Sequence, residues 1–494
     1  MHKTEINLIP NIINPSPDYY CTWQTQLYAT CDGKPPAQRA IISEKALFDT
    51  DKPYGWAYFY EKARHDLFIV MDDSWDVPLN GNRAFYGSLE LNSEKFPVST
   101  TEKTNSEALK TLTERIKSLG WKGLGGWVCA QEPAFYEGNI EEYWKKCLIE
   151  MQESGFSYWK VDWGKKAQNI SFRKMLTDLA RDLAPNLIIE HAMIPEIISE
   201  GDVFRTYDVP AIMSIPMTMQ KIMELSGTTA PTGTNQGLIN CEDEVYAAAA
   251  GGFTMGVMRH PYAGPFVNNL PDPSFPALHR HLKTKMYEVI RATRWHRIAP
   301  AFAMDKDHIQ VSEEILNDTW KFINKNEEME EWWFKMPAVC DFMDENTDIL
   351  TKSAPACICR NTCLPNVKPD ENGHKPYCIA SRNPNGVYSI VTLGRTLERD
   401  YFIPKCNVTV YAEDSDVIGV FGEYDQLIIQ TDLTNIKQIL MQDLADEYSI
   451  DITNEVMISD NQLTIPGHII SKIGTMAQPK EDTSEPGVVI KIII

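Results

Sequence analysis

Apolar and polar positions follow two different periods along the first 300 residues. "DLFIVMDD" (66–73) is a nearly continuous apolar run, which is typical of a parallel strand covered on both faces. "NSEALKTLTERIKSLG" (105–120) comes next in this pattern, with apolar residues at helical spacing and a glycine at its end. The two stretches predict a buried strand followed by an amphipathic helix.

The same unit recurs down the chain. "NIEEYWKKCLIEMQESG" (139–155) predicts another helix, and further strands are predicted in "WKGLGGWV", "FSYWKVDW", "LIIEHA", "DVFRTYD" and "FTMGVMRH". About eight such units, with no glycine-rich phosphate loop after the first strand, favour a (β/α)8 TIM barrel over a doubly wound sheet. An open sheet stays an alternative, because the stretch 210–245 is irregular.

The pattern changes after about residue 350. Short β-branched runs such as "YCIASRNPNGVYSIVTLGR" and "CNVTVYAEDSDVIGVFG" are separated by Asn, Pro, Gly and Asp turns. They predict an antiparallel β-sandwich. We therefore divide the chain into a (β/α)8 barrel over residues 1–345 and a C-terminal β-sandwich domain over residues 346–494.

Composition restricts the partners. Of the 494 residues 43% are hydrophobic, and the net charge is −21, which argues against nucleic acid or an anionic membrane as partner. No apolar run approaches the ~20 residues of a membrane span. No apolar signal segment follows the N-terminus. We expect a cytoplasmic protein, or a periplasmic or secreted one if a signal has been removed, with a neutral substrate.

Eleven cysteines are spread over the whole chain, which does not suggest a disulfide framework. Cys357, Cys359, Cys363 and Cys378 lie closest together, but their spacing fits no standard zinc pattern. We expect them to be free thiols buried by the β-domain, with zinc as the weaker alternative.

Charged residues gather where the predicted strands end. In a barrel, the C-terminal ends of the strands carry the catalytic groups. A single charged residue at such a position would be interpreted as a loop-end salt bridge, but five strands ending in this way predict a polar pocket. The residues expected to line it and to contact substrate are Asp72, Asp73, Trp75, Trp127, Lys160, Asp162, Glu190, Arg205 and Asp208.

Paired carboxylates beside tryptophans suggest sugar chemistry. Cleavage of a glycosidic bond needs one carboxyl group as acid and another as nucleophile or base. Sugar hydroxyls suit carboxylate acceptors, and the C–H face of a sugar ring suits an indole. Metal binding is the competing interpretation, but histidines are few and show no ligand spacing. We expect neither a metal nor an organic cofactor.

Three motifs resemble one enzyme group. "YWKVDWG" (158–164) resembles the nucleophile motif of retaining α-galactosidase-type enzymes, glycoside hydrolase families 27 and 36, in which Lys-x-Asp ends the fourth strand. "LFIVMDDSW" (67–75) resembles their second strand, whose Asp-Asp holds substrate hydroxyls, and "TWQTQ" (22–26) resembles their tryptophan-bearing first strand. The resemblance covers about residues 20 to 300, and a C-terminal β-sandwich is also the family arrangement.

The resemblance implies roles for individual residues. Asp162 would attack the anomeric carbon and form a glycosyl-enzyme, and Lys160 would keep Asp162 ionised and contact a hydroxyl. Asp72 and Asp73 would bind hydroxyls, and Trp127 would form a stacking wall.

The acid/base residue departs from the family 27 pattern, in which the aspartate follows an arginine by four positions. Here Arg205 plus four is Val209. The Thr-Ser-Asp-like run of family 36 is better matched by "TYD" (206–208). We therefore assign the acid/base role to Asp208, with Asp202 as a second choice.

The leading hypothesis is an exo-acting retaining α-glycosidase of the α-galactosidase type. Three alternatives stay open: a catalytically inactive carbohydrate-binding barrel, a metal-assisted lyase, and an enzyme of the same superfamily acting on N-acetylgalactosamine, β-L-arabinopyranose or α-glucan substrates. The sequence does not indicate the oligomeric state.

Overall fold

The computed structural model describes residues 2–30, 39–192, 194–205, 213–225, 236–261, 282–303, 308–324, 348–459 and 461–494. The strands within these ranges are β1 (His2–Lys3), β2 (Tyr19–Cys21), β3 (Phe68–Met71), β4 (Gly123–Val128), β5 (Tyr158–Val161), β6 (Ile188–Ala192), β7 (Val203–Arg205), β8 (Leu238–Asn240), β9 (Gly256–Val257), β10 (Ile309–Val311), β11 (Ile315–Lys321), β12 (Ile349–Pro355), β13 (Cys357–Arg360), β14 (Asn366–Lys368), β15 (Tyr377–Arg382), β16 (Tyr388–Leu393), β17 (Arg395–Leu397), β18 (Asp400–Phe402), β19 (Asn407–Tyr411), β20 (Val417–Phe421), β21 (Gln426–Gln430), β22 (Gln438–Asp443), β23 (Ile450–Asp451), β24 (Met457–Ser459), β25 (Gln462–Pro466) and β26 (Gly487–Ile493). The α-helices are Trp23–Thr30, Glu44–Phe48, Pro97–Thr100, Asn105–Ser118, Ile140–Ser154, Ile170–Leu183, Ser214–Leu225, Val245–Gly251, Met286–Ile298 and Gly467–Gly474.

Among the described residues, β2 to β9 form an eight-stranded parallel sheet in the order β8-β7-β6-β5-β4-β3-β2-β9. A parallel bridge between Asn240 and Thr254 joins the end of β8 to the chain just before β9 and closes the sheet. The predicted TIM barrel is therefore confirmed. The open sheet is wrong, because β2 pairs with both β3 and β9 and leaves no edge there.

Local sequence signals define the barrel helices. Thr104 and Glu107 form a reciprocal capping box at the start of the helix Asn105–Ser118. The helix Ile140–Ser154 ends at Gly155, whose φ of 68° is left-handed and suits glycine. The predicted apolar stripes of both helices face the core.

Side chains alternate between the barrel interior and the helix layer. Phe68 and Val70 of β3 join an interior cluster with Tyr158 of β5, whereas Ile69 and Met71 pack outward with the helices. The alternation continues at the C-terminal ends of these strands. It places Asp72, Lys160, Glu190 and Arg205 on the interior side.

The stretch 22–26 does not form the first strand that was expected of it. Strand β2 ends at Cys21, and a helix begins at Trp23. The backbone N–H of Thr22 makes the last contact with β3, at Val70, and the N–H of Gln26 then bonds back to Thr22 in a first helical turn. Trp23 therefore lies beyond the strand.

The C-terminal region is a sandwich of two sheets. A nine-stranded sheet (β1-β23-β22-β26-β20-β16-β15-β13-β10) and a five-stranded sheet (β14-β19-β21-β25-β24) enclose a shared apolar core. Most strand pairs are antiparallel, as predicted, but β13–β15, β16–β20 and β19–β21 are parallel. The outer face of the large sheet packs on the barrel through Ile379, Val391 and Phe421.

The division at residue 345 stays a prediction, because 325–347 lie outside the described residues. Two strands from the first part of the chain join the large sheet: β1 pairs with β23, and β10 pairs with β13. No helix in the described ranges is both long and apolar enough to cross a membrane.

The four clustered cysteines are all unpaired thiols. Cys357, Cys359 and Cys378 are buried in the sandwich, but Cys363 is exposed, so the prediction of four buried thiols is wrong for this residue. It lies after β13 has ended, in the loop before β14. Within the part of the chain that the structure describes, no group of three or more His, Cys, Asp or Glu could hold a metal ion.

Candidate functional site

Asp162 lies directly after the last residue of β5. Its backbone N–H donates to Val128 O at 3.0 Å, so the sheet ladder still fixes its main chain. One carboxylate oxygen, Oδ1, lies 2.7 Å from Arg205 Nη2, and the other, Oδ2, accepts the indole N–H of Trp127 at 3.1 Å. Only 8% of the side chain is exposed. The carboxylate is oriented from two sides.

The surroundings of Asp162 favour its ionised form. Burial alone would raise the pKa of this carboxyl, but Arg205, Lys160 and the Trp127 N–H together outweigh burial and lower the pKa below its usual value. A carboxylate that stays ionised in a mostly dry site can act as a nucleophile or as a base. Asp162 can therefore play either part.

Lys160 contacts the neighbouring strand end. Its Nζ lies 2.6 Å from Asp72 Oδ2, and the Cys21 thiol donates to the same oxygen at 2.9 Å. Burial would lower the pKa of Lys160, but Asp72 outweighs it and raises the pKa above its usual value. Lys160 is therefore a permanent cation that pairs with Asp72 and acts on Asp162 only through its charge.

Asp73 has a different environment from Asp72. Its Oδ1 accepts the Ser74 hydroxyl at 2.5 Å, and its Oδ2 lies 3.8 Å from Arg39 Nε. Burial raises the pKa of Asp73 despite these partners. Ser74 itself has a φ of 73°, a strained conformation for a residue with a side chain, at the point where the chain leaves the barrel.

Arg205 connects three carboxylates inside the barrel. Besides Asp162, it approaches Glu242 Oε1 at 3.3 Å through Nη1 and Glu190 Oε1 at 3.7 Å through Nε. The guanidinium is fully buried. Arg205 was expected to contact substrate, but in the structure it pairs with the candidate nucleophile.

Glu190 is enclosed below the site. Its carboxylate accepts the hydroxyls of Tyr19 at 3.0 Å and Tyr158 at 2.8 Å and the amide of Asn240 at 2.8 Å. No part of the side chain is exposed. Glu190 was expected to contact substrate; in the structure its enclosed carboxylate lies 3.7 Å from Arg205 Nε.

Neither of the predicted tryptophans is an exposed wall. Trp127 is fully buried and uses its N–H on Asp162. Trp75 is fully buried on the outer side of β4, where its N–H donates to Trp127 O at 2.8 Å and its ring stacks on Phe156. A Cβ on Gly126 would lie only 2.7 Å from Trp75 Nε1, so this packing requires glycine. Trp75 was expected to contact substrate; in the structure its ring packs against the outer side of β4 and supports that strand.

Two residues next to Asp162 and Arg205 were not among the site residues predicted from the sequence. Trp163, which follows Asp162, is 36% exposed, and its ring centroid lies 5.3 Å from that of Trp127. Glu242 follows the end of β8, is fully buried and has a φ of 47°. The available signal was the carboxylate run in "LINCEDE" (238–244), directly after an apolar strand.

The second-choice acid/base residue is wrong. Asp202 precedes β7 and therefore lies at the N-terminal end of the barrel, where it accepts the N–H of Ile189 at 2.8 Å and pairs with Arg181 at 3.4 Å. Asp162 lies at the opposite end. Asp208 falls outside the described residues and stays a prediction.

The fold remotely resembles solved structures of sugar-active enzymes. An α-galactosidase from Saccharomyces cerevisiae has 9% identity and a TM-score of 0.40, over 97% of this chain and 98% of that one. α-Galactosidase I from Mortierella vinacea has 12% identity and a TM-score of 0.34, over 70% of this chain and 95% of that one. An α-amylase from Anoxybacillus has 8% identity and a TM-score of 0.41, over 97% of this chain and 98% of that one. No protein-family model and no curated protein matches the chain.

Proposed function

We propose that this protein is a retaining, exo-acting α-glycosidase of the α-galactosidase type, which removes terminal α-linked galactose or a closely related sugar. The observation that supports this most is Asp162: an ionised carboxylate at the C-terminal end of a barrel strand, oriented by Arg205 and Trp127 and partly open to solvent. This is what an attack on an anomeric carbon requires.

In the proposed first step, a carboxylate oxygen of Asp162 forms a bond to the anomeric carbon while the bond to the leaving oxygen breaks. The leaving oxygen takes its proton from Asp208, the predicted acid/base. In the second step water attacks the same carbon, gives its proton to Asp208 and releases Asp162. The two inversions return the starting α configuration. No cofactor is needed.

Asp72 and Asp73 would accept hydrogen bonds from hydroxyls of the bound sugar. The fixed contact between Asp72 and Lys160 leaves Asp72 Oδ1 to its own loop, where it accepts the Asp73 N–H at 2.8 Å. Asp73 lies next to the partly exposed Arg39. We therefore expect Asp73 to contribute more to sugar binding than Asp72, which mainly holds Lys160.

The anomer of the fresh product tests the mechanism. A panel of nitrophenyl α- and β-glycosides, with and without a chelator, identifies a substrate, and proton NMR then follows the first product formed from the α-glycoside. We expect the α-anomer first. If the β-anomer comes first, the mechanism is inverting and Asp162 acts as a base. Binding without hydrolysis would favour a catalytically inactive sugar-binding barrel.

Asp208→Ala tests the acid/base assignment. Substrates with good leaving groups need no proton, so their first step should survive while the second step slows. Azide needs no general base and should restore turnover, giving a glycosyl azide. A crystal structure in which Asp208 and Asp162 lie far beyond the ~5 Å that separates the carboxyl groups of retaining enzymes would contradict the assignment.

A further inference from the structure

A second polar cavity lies at the other end of the barrel. Its volume is about 390 Å³, and it forms where the N-terminal segment, the helix Met286–Ile298 and the loop after β22 meet. His65 contributes from the loop just before β3, which places the cavity at the N-terminal end of the strands. Asp162 follows the C-terminal end of β5, so the two sites lie at opposite ends of the barrel.

Three of the eight residues that line this cavity are basic: His65, Arg294 and Arg297. Arg297 is held by Asp66, with Nε 2.9 Å and Nη2 2.7 Å from Asp66 Oδ2, and it also contacts the His65 ring. Burial, aided by Arg297 and Arg294, lowers the pKa of His65 although Asp66 opposes the shift. The imidazole is therefore neutral at neutral pH and adds no charge of its own.

Only some of the guanidinium N–H groups of Arg294 have hydrogen-bond acceptors. Its Nη1 donates to the carbonyls of Leu444 at 3.4 Å and Asp446 at 3.1 Å, which fixes the guanidinium plane. Its Nη2 lies 3.2 Å from Glu447 Oε1, but the buried Nε has no hydrogen-bond acceptor in the described residues. The Nε–Nη2 edge is the one that binds carboxylates and phosphates through two parallel hydrogen bonds. Here this edge is half occupied.

Glu447 is a weak occupant of that edge. Its side chain is 72% exposed, whereas that of Arg294 is 10% exposed, and its other oxygen accepts the Asn7 amide at 3.3 Å. Ion pairs with such an exposed partner contribute little. Leaving a buried guanidinium N–H without an acceptor is costly. An anion that supplied two oxygens to Arg294 would therefore displace Glu447 readily.

We propose that this cavity binds a small organic anion, whose carboxylate or phosphate group takes both Nε and Nη2 of Arg294 in place of Glu447. The volume lies at the lower end of the range for small-molecule sites, which is enough for a sugar-sized body beside the anionic group. The amide of Asn7 is a suitable partner for hydroxyls of that body. The cavity is thus a site for a sugar acid or sugar phosphate, separate from the proposed catalytic site.

Calorimetric titration of the full chain tests the proposal with four probes: glucose 6-phosphate, glucuronate, inorganic phosphate and glucose. We expect at least one sugar anion to bind and neutral glucose not to bind. A preference for glucose 6-phosphate or for glucuronate identifies the anionic group. Binding must persist in Asp162→Asn, which separates this site from the catalytic one and makes the result independent of the proposed glycosidase activity.

Two variants should move the affinity in opposite directions. Glu447→Gln removes the competitor and should tighten anion binding about two- to fivefold. Arg294→Gln removes the Nε–Nη2 edge of the guanidinium and should weaken anion binding at least about tenfold. Glu371→Gln, an exposed carboxylate outside the cavity lining, should change nothing. If Arg294→Gln does not fold, Glu447→Gln still decides. Absence of binding by all three anions to both the wild type and Glu447→Gln overturns the proposal, as does glucose binding as tightly as the anions.

Discussion

Asp162 in the barrel and Asp318 in β11 are both buried carboxylates paired with an arginine, and they differ in how completely they are enclosed. Asp318 accepts Arg395 Nε at 2.5 Å, the Thr396 N–H at 2.7 Å and the Tyr377 hydroxyl at 3.1 Å, and no part of it is exposed. Asp162 accepts one hydrogen bond, from Trp127, pairs with Arg205 through its charge at 2.7 Å, and keeps 8% of its side chain exposed.

The two arginines differ in the same sense. Arg395 donates its remaining groups to the carbonyls of Lys375 and Asn317, so the pair forms a closed structural unit. Arg205 instead shares its charge among three carboxylates. Burial raises the pKa of Asp318, whereas the cations around Asp162 lower its pKa. The proposed nucleophile is thus an ionised and slightly exposed aspartate, whereas the fully enclosed and fully bonded Asp318 stabilises the fold.

The largest expected effect separates these two roles. Asp162→Asn should reduce kcat by roughly four orders of magnitude, because the proposed nucleophile is lost. Its free energy of unfolding should change little, since Arg205 keeps two carboxylates. Asp318→Asn should do the reverse: unfolding becomes easier by about 3 kcal/mol because Arg395 loses its buried partner, and kcat per folded molecule stays the same. Steady-state kinetics and urea unfolding of both variants measure this. Equal loss of activity in the two variants would contradict the distinction.

A second prediction concerns Arg205. Its charge lowers the pKa of Asp162, so weakening the pair raises that pKa, and the acidic limb of the kcat/KM profile must move to higher pH. Arg205→Lys should move the limb up by about one unit. Arg395→Lys is the matched control: it should lower the melting temperature without moving the limb. A limb that stays in place in Arg205→Lys would mean that another group controls it.

A substitution of Trp127 tests the role of the Asp162 carboxylate, with a smaller expected effect. Trp127→Phe keeps an aromatic ring but removes the N–H bond to Asp162, which should lower kcat/KM about tenfold because hydrogen bonds to charged groups are stronger than neutral ones. Trp144→Phe removes an equivalent bond, to Glu132 Oε1 at 2.8 Å, on the helix layer. It should leave kcat/KM nearly unchanged. Similar losses in both variants would indicate a general packing effect.

The sequence predicted the barrel because the strands are apolar runs and alternate with amphipathic stretches, two of which end at a glycine, Gly120 or Gly155. It also located Lys160 and Asp162, whose spacing of two puts both on the interior side of the barrel. The sequence could not indicate how deep each of these side chains lies along the barrel axis. Glu190 pairs in register with Lys160, so it lies level with that residue, whereas Asp162 is two residues further along its strand. Glu190 is therefore enclosed: it lies in the middle of β6, whereas Asp162 follows the end of β5.

The sequence also could not indicate the direction in which the tryptophan side chains point. Trp75 and Trp127 both follow the pattern of an aromatic at a strand end, but neither side chain is exposed. Whether an indole faces the pocket depends on neighbours that are distant in sequence, such as Phe156 behind Trp75 and Asp162 beside Trp127. Glu242 was overlooked because the irregular stretch before it concealed the strand that it follows.

Glu242 gives the smallest predicted effect, and one of opposite sign. Its carboxylate competes with Asp162 for Arg205, with Oε1 3.3 Å from Nη1. Glu242→Gln removes that negative charge and leaves more of the guanidinium's field on Asp162, so the pKa of Asp162 should fall. The acidic limb of kcat/KM should then move to lower pH by less than about one unit, with kcat at neutral pH nearly unchanged. An upward shift, or a loss of kcat approaching that of Asp162→Asn, would place Glu242 in the chemical step itself and not among the groups that set the charge of the proposed nucleophile.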